Sequence, residues 1–138
     1  MSTNFSNVRY IRVEKNVQSG PNGNEWYLHF GELEAYNTSN VNVALNKPTS
    51  ASSEQYGTKE AGNDGNTSGY WADGIFHSGG SSNQWWQVDL NTSQTIKYIK
   101  IYNRIDIESN GYNYAKLLDN VEIKLLNASL DVIETFIF

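Results

Sequence analysis

The sequence predicts an all-β domain on three observations. Apolar residues recur at every second position in short runs, helical periodicity is nearly absent, and glycine, asparagine and serine clusters separate the runs. Nine tyrosines and four tryptophans stand against one methionine and two prolines. Such usage suits strands and an aromatic-lined surface. A length of 138 residues predicts one domain, residues 1–138, with a core that needs no covalent staple.

The elements follow in order. "VRYIRVEK" (8–15) alternates, with Val8, Tyr10 and Arg12 expected opposite Ile11 and Val13. "NVQSGPNGN" is a turn-rich loop, and "EWYLHFGELEAY" (25–36) is a second strand region, in which His29 is read as structural. Residues 52–74 form a polar, glycine-rich loop, and loops of that length within compact domains are commonly functional or ion-stabilised. "QWWQVDL" (84–90) and "TIKYIKIYN" (95–103) read as two strands, with one of Trp85 and Trp86 facing the core and the other facing away. The last segment reads as a hairpin turning at residues 127–129. It ends on "TFIF", an apolar strand expected to lie beside the N-terminal strand and to bring the termini together.

Composition removes several functions. A formal charge of −5 without a Lys/Arg cluster argues against nucleic acid or anionic lipid as partner. With no cysteine, neither a disulfide framework nor a thiolate centre is available. The opening residues hold no apolar signal-peptide core, and no run is long enough for a membrane span. Neither HExxH nor G-x-S-x-G occurs, and no carboxylate pair stands out.

Two polar constellations remain. Arg104 and Asp106 end an alternating strand two residues apart, so they share a face. A guanidinium donates several hydrogen bonds in one plane, which suits adjacent hydroxyls, and the acid can hold that plane. The same pair also reads as a plain ion pair at a strand end. "AGNDGN" (61–66) sets a carboxylate among flexible, carbonyl-presenting residues, as a calcium loop or a capped turn would.

"NVALNKPTSASS", "GNDGN", "QWWQVDL" and "IYNRID" together resemble, in that order, the discoidin-like (coagulation factor 5/8 type C) superfamily, and most of all its F-type lectin branch. That branch's sugar motif is a histidine, twenty-six residues, Arg-x-Asp and then a second cation. Here His77 and Arg104 enclose residues 78–103, and Asp106 completes the motif. The implied fold is a β-sandwich jelly roll of galactose-binding-domain type. The family's closing strands, "VRYIRV" and "FGELEAY", come first here, which implies a circular permutation or a repeat unit cut in shifted register.

The resemblance implies a non-catalytic lectin-like module for a fucose- or galactose-type sugar, with His77, Arg104 and Asp106 binding. Lys116 stands in the second-cation place, after a longer loop, and Ile107 and Glu108 replace a common cysteine pair. Tyr70 and Trp71 fall where the family sets aromatics near the sugar. Tyr112 and Tyr114 supply either a replacement wall or an anchor for the loop. A structural calcium is implied on Asp64, Glu32 and the carbonyls of Ala61, Asn66 and Gly74. The partners implied are glycans or glycoconjugates at an extracellular, cell or virion surface, without membrane insertion and engaged multivalently through tandem modules or oligomers. The alternative is a discoidin-type adhesion module for a protein partner.

Overall fold

The computed structural model describes residues 4–138, and no α-helix occurs among them. Eight strands follow in chain order: β1 (Phe5–Lys15), β2 (His29–Phe30), β3 (Glu32–Asn37), β4 (Thr49–Ala51), β5 (Phe76–His77), β6 (Gln84–Tyr102), β7 (Glu122–Leu126) and β8 (Val132–Ile137). Six of them build one antiparallel sheet in the order β3-β6-β1-β7-β8, with β4 also on β6, while β2 and β5 pair separately. The architecture is the all-β sandwich expected.

The two segments read as separate strands are one 19-residue strand, β6. Its first half pairs with β4 and its last seven residues pair with β3. Trp86, Val88, Leu90 and Ile96 are buried, but beyond them the half-buried residues are Ile99 and Ile101. The phase changes between Ile96 and Ile99, where the pairing with β3 shifts register between Tyr36, opposite Tyr98, and Asn37, opposite Ile96. The alternation thus breaks without ending the hydrogen-bond ladder, which is why the strand reads as two.

A register shift between Val8 and Tyr10 does the same in β1. It puts Val8 on the core face with Ile11 and Val13, not opposite them. Trp86 is fully buried, and Trp85 lies on the other face beneath the Arg12 guanidinium, Cζ 4.0 Å from its ring centroid. The core is one cluster drawn from β1, β3, β6 and β7 together with Phe30 and Phe76 of the small sheet.

The C-terminal strand is held differently from the expectation. β8 pairs with β7, which lies between it and β1. The first and last strands do come together, through an edge-to-face contact of Phe5 and Phe136 at 5.5 Å. The β7–β8 turn forms where expected, with the Asn127 side chain accepting from the N–H groups of Ser129 and Asp131.

Candidate functional site

The chain leaves β6 at Asn103, and two neighbours fix its path there. Ile105 N–H donates to Gly69 O at 3.0 Å, and Asn103 Nδ2 donates to Ala115 O at 2.9 Å. Gly69 has φ +78°, and a Cβ there would stand 2.6 Å from Asn103 O, so the long loop reaches this strand end only through a glycine. The result is a side chain with little freedom. Arg104 is 8 % exposed, its Nε donates to Asp106 Oδ2 at 2.7 Å, and its Cζ lies 3.7 Å from the Tyr114 ring centroid. Only Nε is spent on the protein among the described residues, so the two terminal amino groups remain for a ligand. Asp106 Oδ2 also accepts from Trp71 N at 3.0 Å. Burial alone would raise the Asp106 carboxyl, but Arg104 and that N–H outweigh it and hold it below the usual range.

His77 stands opposite, on β5. Its backbone is gripped by the long loop: Gln55 N and Tyr56 N both donate to His77 O, and Gly57 bridges to the same residue. Its Nδ1 lies 2.8 Å from Ser78 O. A carbonyl only accepts, so Nδ1 carries the hydrogen and Nε2 presents a lone pair. Burial lowers the pKa and nearby Arg104 adds to that, against the Ser78 bond, so the ring is neutral at neutral pH.

Aromatic rings complete a cleft of about 590 Å³. Tyr27 and Tyr56 meet the His77 ring at 5.5 and 5.0 Å. Trp71 is tied by Nε1–H to Tyr56 O at 3.2 Å. On the other side Tyr112 and Tyr114 meet edge to face at 4.7 Å. Their hydroxyls donate to Glu25 and Glu108 respectively, and Ile107 and Asn113 bridge the base of their loop. Both phenol pKa values rise, Tyr112 chiefly through burial and Tyr114 chiefly through its bond to Glu108.

Of the residues singled out from sequence, His77, Arg104, Asp106, Trp71, Tyr112 and Tyr114 line this cleft. Tyr70 is half exposed beside it, and Lys116 is exposed on the short 3-10 helix Tyr114–Leu118; neither lines the cleft. Sequence reasoning missed Tyr27, Tyr56 and the role of Glu108. His29, read as structural, is fully buried behind His77 with ring centroids 5.0 Å apart and Nε2 2.9 Å from Tyr114 O. The surplus of tyrosine was the one signal for the missed rings.

None of the residues proposed for a cation lines the cleft. Glu32 is fully buried; its Oε2 accepts from Gly65 N at 3.1 Å and its Oε1 has no partner. Burial, and then the neighbouring Asp64 carboxylate, push the Glu32 carboxyl up to about 8, against the Gly65 bond. No group of three acidic, histidine or cysteine side chains converges on a metal among the described residues. A cation here would therefore need backbone carbonyls besides two carboxylates. That all-oxygen set fits calcium, and the orphaned Glu32 oxygen fits a missing positive partner.

Comparison with known proteins adds one finding. A family model described as a NedA-like, galactose-binding domain of the F5/F8 type C group matches residues 61–129, half of the chain. The matched segment includes Trp71, His77, Arg104, Asp106 and the tyrosine loop, while Tyr27, His29 and Glu32 lie outside it. No curated protein and no solved structure matches the chain.

Proposed function

We propose, starting from the fact that the chain belongs to the NedA-like, galactose-binding domain family of the F5/F8 type C group, that its cleft binds a fucose- or galactose-type sugar without turning it over. One observation carries the reading. The bare Nε2 of His77 and the free terminal amino groups of Arg104 open on one cleft among aromatic rings. A pyranose offers hydroxyls that both donate and accept, and an apolar C–H face. His77 accepts from a hydroxyl, Arg104 donates to neighbouring oxygens, and Tyr27, Tyr56 or Trp71 covers the C–H face. Asp106 fixes the guanidinium plane. It is kept ionised by Arg104 and Trp71, so it is no proton donor for glycoside cleavage.

The finer assignment, an F-type lectin in permuted strand order, is supported by the histidine-to-arginine spacing. It is also supported by Glu32, which reaches the 61–66 loop from a strand that the family has last. Calcium would be held by Glu32, Asp64 and the carbonyls of Ala61, Asn66 and Gly74. It would neutralise the two carboxylates and order the loop that grips His77. Such a module acts on glycans displayed at outer surfaces and gains strength from repeated copies. Glycan-array binding that disappears in Arg104→Ala, with the circular dichroism spectrum unchanged, tests the reading; binding indifferent to that substitution overturns it.

A further inference from the structure

We infer that the cleft is a two-residue glycan site whose outer half, built by Glu108, Tyr112 and Tyr114, takes a neutral sugar residue and rejects an anionic one. This rests on the sugar-binding reading above and extends it to the neighbour of the bound sugar.

Extent comes first. The cleft of about 590 Å³ lies within the span of roughly 300–1,000 Å³ that holds drug-sized ligands. A single pyranose bridging His77 and Arg104 fills only its inner part. The rings also fall into two groups: Tyr27 and Tyr56 pack on His77, whereas Tyr112 packs on Tyr114, which covers Arg104. An inner sugar meets the first group, and the residue attached to it runs along the second.

Rigidity comes second. The outer wall belongs to the 107–113 turn, closed by the Ile107–Asn113 bridge and by Glu108 N–H donating to Tyr112 O at 3.0 Å. Tyr112 is pinned by its hydroxyl to Glu25, whose other oxygen is buried, and Tyr114 is pinned to Glu108. A wall fixed before binding loses little conformational freedom on binding.

Charge comes third. Arg104 is neutralised by Asp106, and His77 is uncharged. Glu108 is left over, with one oxygen on Tyr114 and the second without a protein donor among the described residues. That oxygen accepts a hydroxyl or an acetamido N–H from a neutral sugar. A carboxylate or sulfate would meet a like charge with no cation to spare, since Lys116 does not line the cleft and Arg104 is paired with Asp106 and taken up by the inner sugar.

Calorimetric titration of the 138-residue chain decides this. The ligands are free galactose and fucose, a panel of neutral disaccharides ending in each, and sialylated and sulfated versions of the best disaccharide. The expected result is at least tenfold tighter binding of the best disaccharide over its monosaccharide, and at least tenfold weaker binding of its anionic versions. Glu108→Gln should narrow the second gap severalfold. Equal affinity for monosaccharide and every disaccharide, or for neutral and anionic versions, overturns the inference while leaving sugar binding intact. Failure of every sugar to bind overturns both.

Discussion

His29 and His77 pair across the β2–β5 ladder with ring centroids 5.0 Å apart, and only His77 meets the cleft. His29 is sealed beneath it, between His77 and the Tyr114 carbonyl, with Arg104 and Lys15 as the nearby cations. His77 faces His29, Tyr27, Tyr56 and Arg104. Burial is the first cause that lowers both imidazole pKa values, and the neighbouring positive groups add to it. Both rings are therefore neutral when folded and take up protons more readily when unfolded.

The sign follows from that difference. Stability from these histidines is complete above the unfolded value near 6.5 and is lost as pH falls from there through the folded values. Each unit of depression converts to about 1.4 kcal/mol. Glu32, its carboxyl pushed up to about 8, adds the opposite slope, since its stability is present at low pH and lost as pH rises toward 8. Melting temperature should therefore rise from pH 8 to 6.5 and turn downward below that as the histidines protonate, whereas in Glu32→Gln it should be flat from pH 8 to 6.5 and fall below it. His29→Gln, which can still donate to Tyr114 O, should flatten the fall. Sugar affinity should decline on the acid side as His77 Nε2 takes a proton. Melts and titrations at half-unit steps from pH 4.5 to 8 measure both effects, and a Glu32→Gln melting temperature that rises on acidification below pH 6.5 contradicts the account.

Arg104→Lys tests geometry apart from charge. Lysine keeps the cation but loses the planar fork, the Nε bond to Asp106 and the stacking on Tyr114. A hydrogen bond to a charged group is worth about 1.5–3 kcal/mol, so affinity should drop about 10- to 100-fold. Asp106→Asn should cost a similar factor by freeing the guanidinium plane. Full affinity in Arg104→Lys would mean that charge alone binds the sugar.

Much of this was legible in the sequence for reasons that are local. Alternation marks strands wherever one face is buried, so Val13, Trp86 and Val88 announce themselves. His77, Arg104 and Asp106 could be found because motif spacing survives when little else does. Two kinds of feature were hidden. Val8 and the single long β6 depend on local phase changes in the ladder, which alternation does not encode. Tyr27 and Tyr56 join the cleft, with His29 sealed behind it, only because the long loop and the β2–β5 pair fold together across distant sequence. Lys116, which the motif order placed in the site, is carried outward by the short helix that follows Asn113.

Gly57→Ala should damage the site without touching a binding residue. A Cβ at Gly57 would lie 1.9 Å from Ile75 O and 3.1 Å from His77 N, both backbone atoms that cannot swing aside. The loop must retreat from β5, which loosens Tyr56 and His77 together. Overpacking of this kind costs about 1–3 kcal/mol. Urea denaturation should report that loss, accompanied by weaker sugar binding. An unchanged midpoint would show that the loop is free to move.

Calcium should raise the melting temperature. A cation binding only the folded state at a hundred times its dissociation constant adds about 2.7 kcal/mol. At about 3 °C per kcal/mol for a domain of this size, that is roughly 8 °C. EGTA should reverse the shift, and Glu32→Gln should abolish it while leaving the protein folded. A melting curve indifferent to millimolar calcium would remove the ion from the account.

Trp85→Ala and Trp86→Ala should differ sharply although the residues are neighbours. Trp86 is fully buried, meets Phe30 edge to face at 5.1 Å and donates from Nε1 to Lys59 O at 2.8 Å. Its loss opens a core cavity and frees the Lys59–Gly62 turn, which leads into the Asp64 segment. A cost of about 3–5 kcal/mol is expected. Trp85 is half-buried on the opposite face, and its main contact is Arg12. That cation–π contact is worth about 0.5–1 kcal/mol at an exposed site, so Trp85→Ala should cost little more. Denaturant midpoints for the two variants check the ordering. Only Trp86→Ala should also weaken calcium's effect on stability, because only Trp86 anchors the turn that carries the loop.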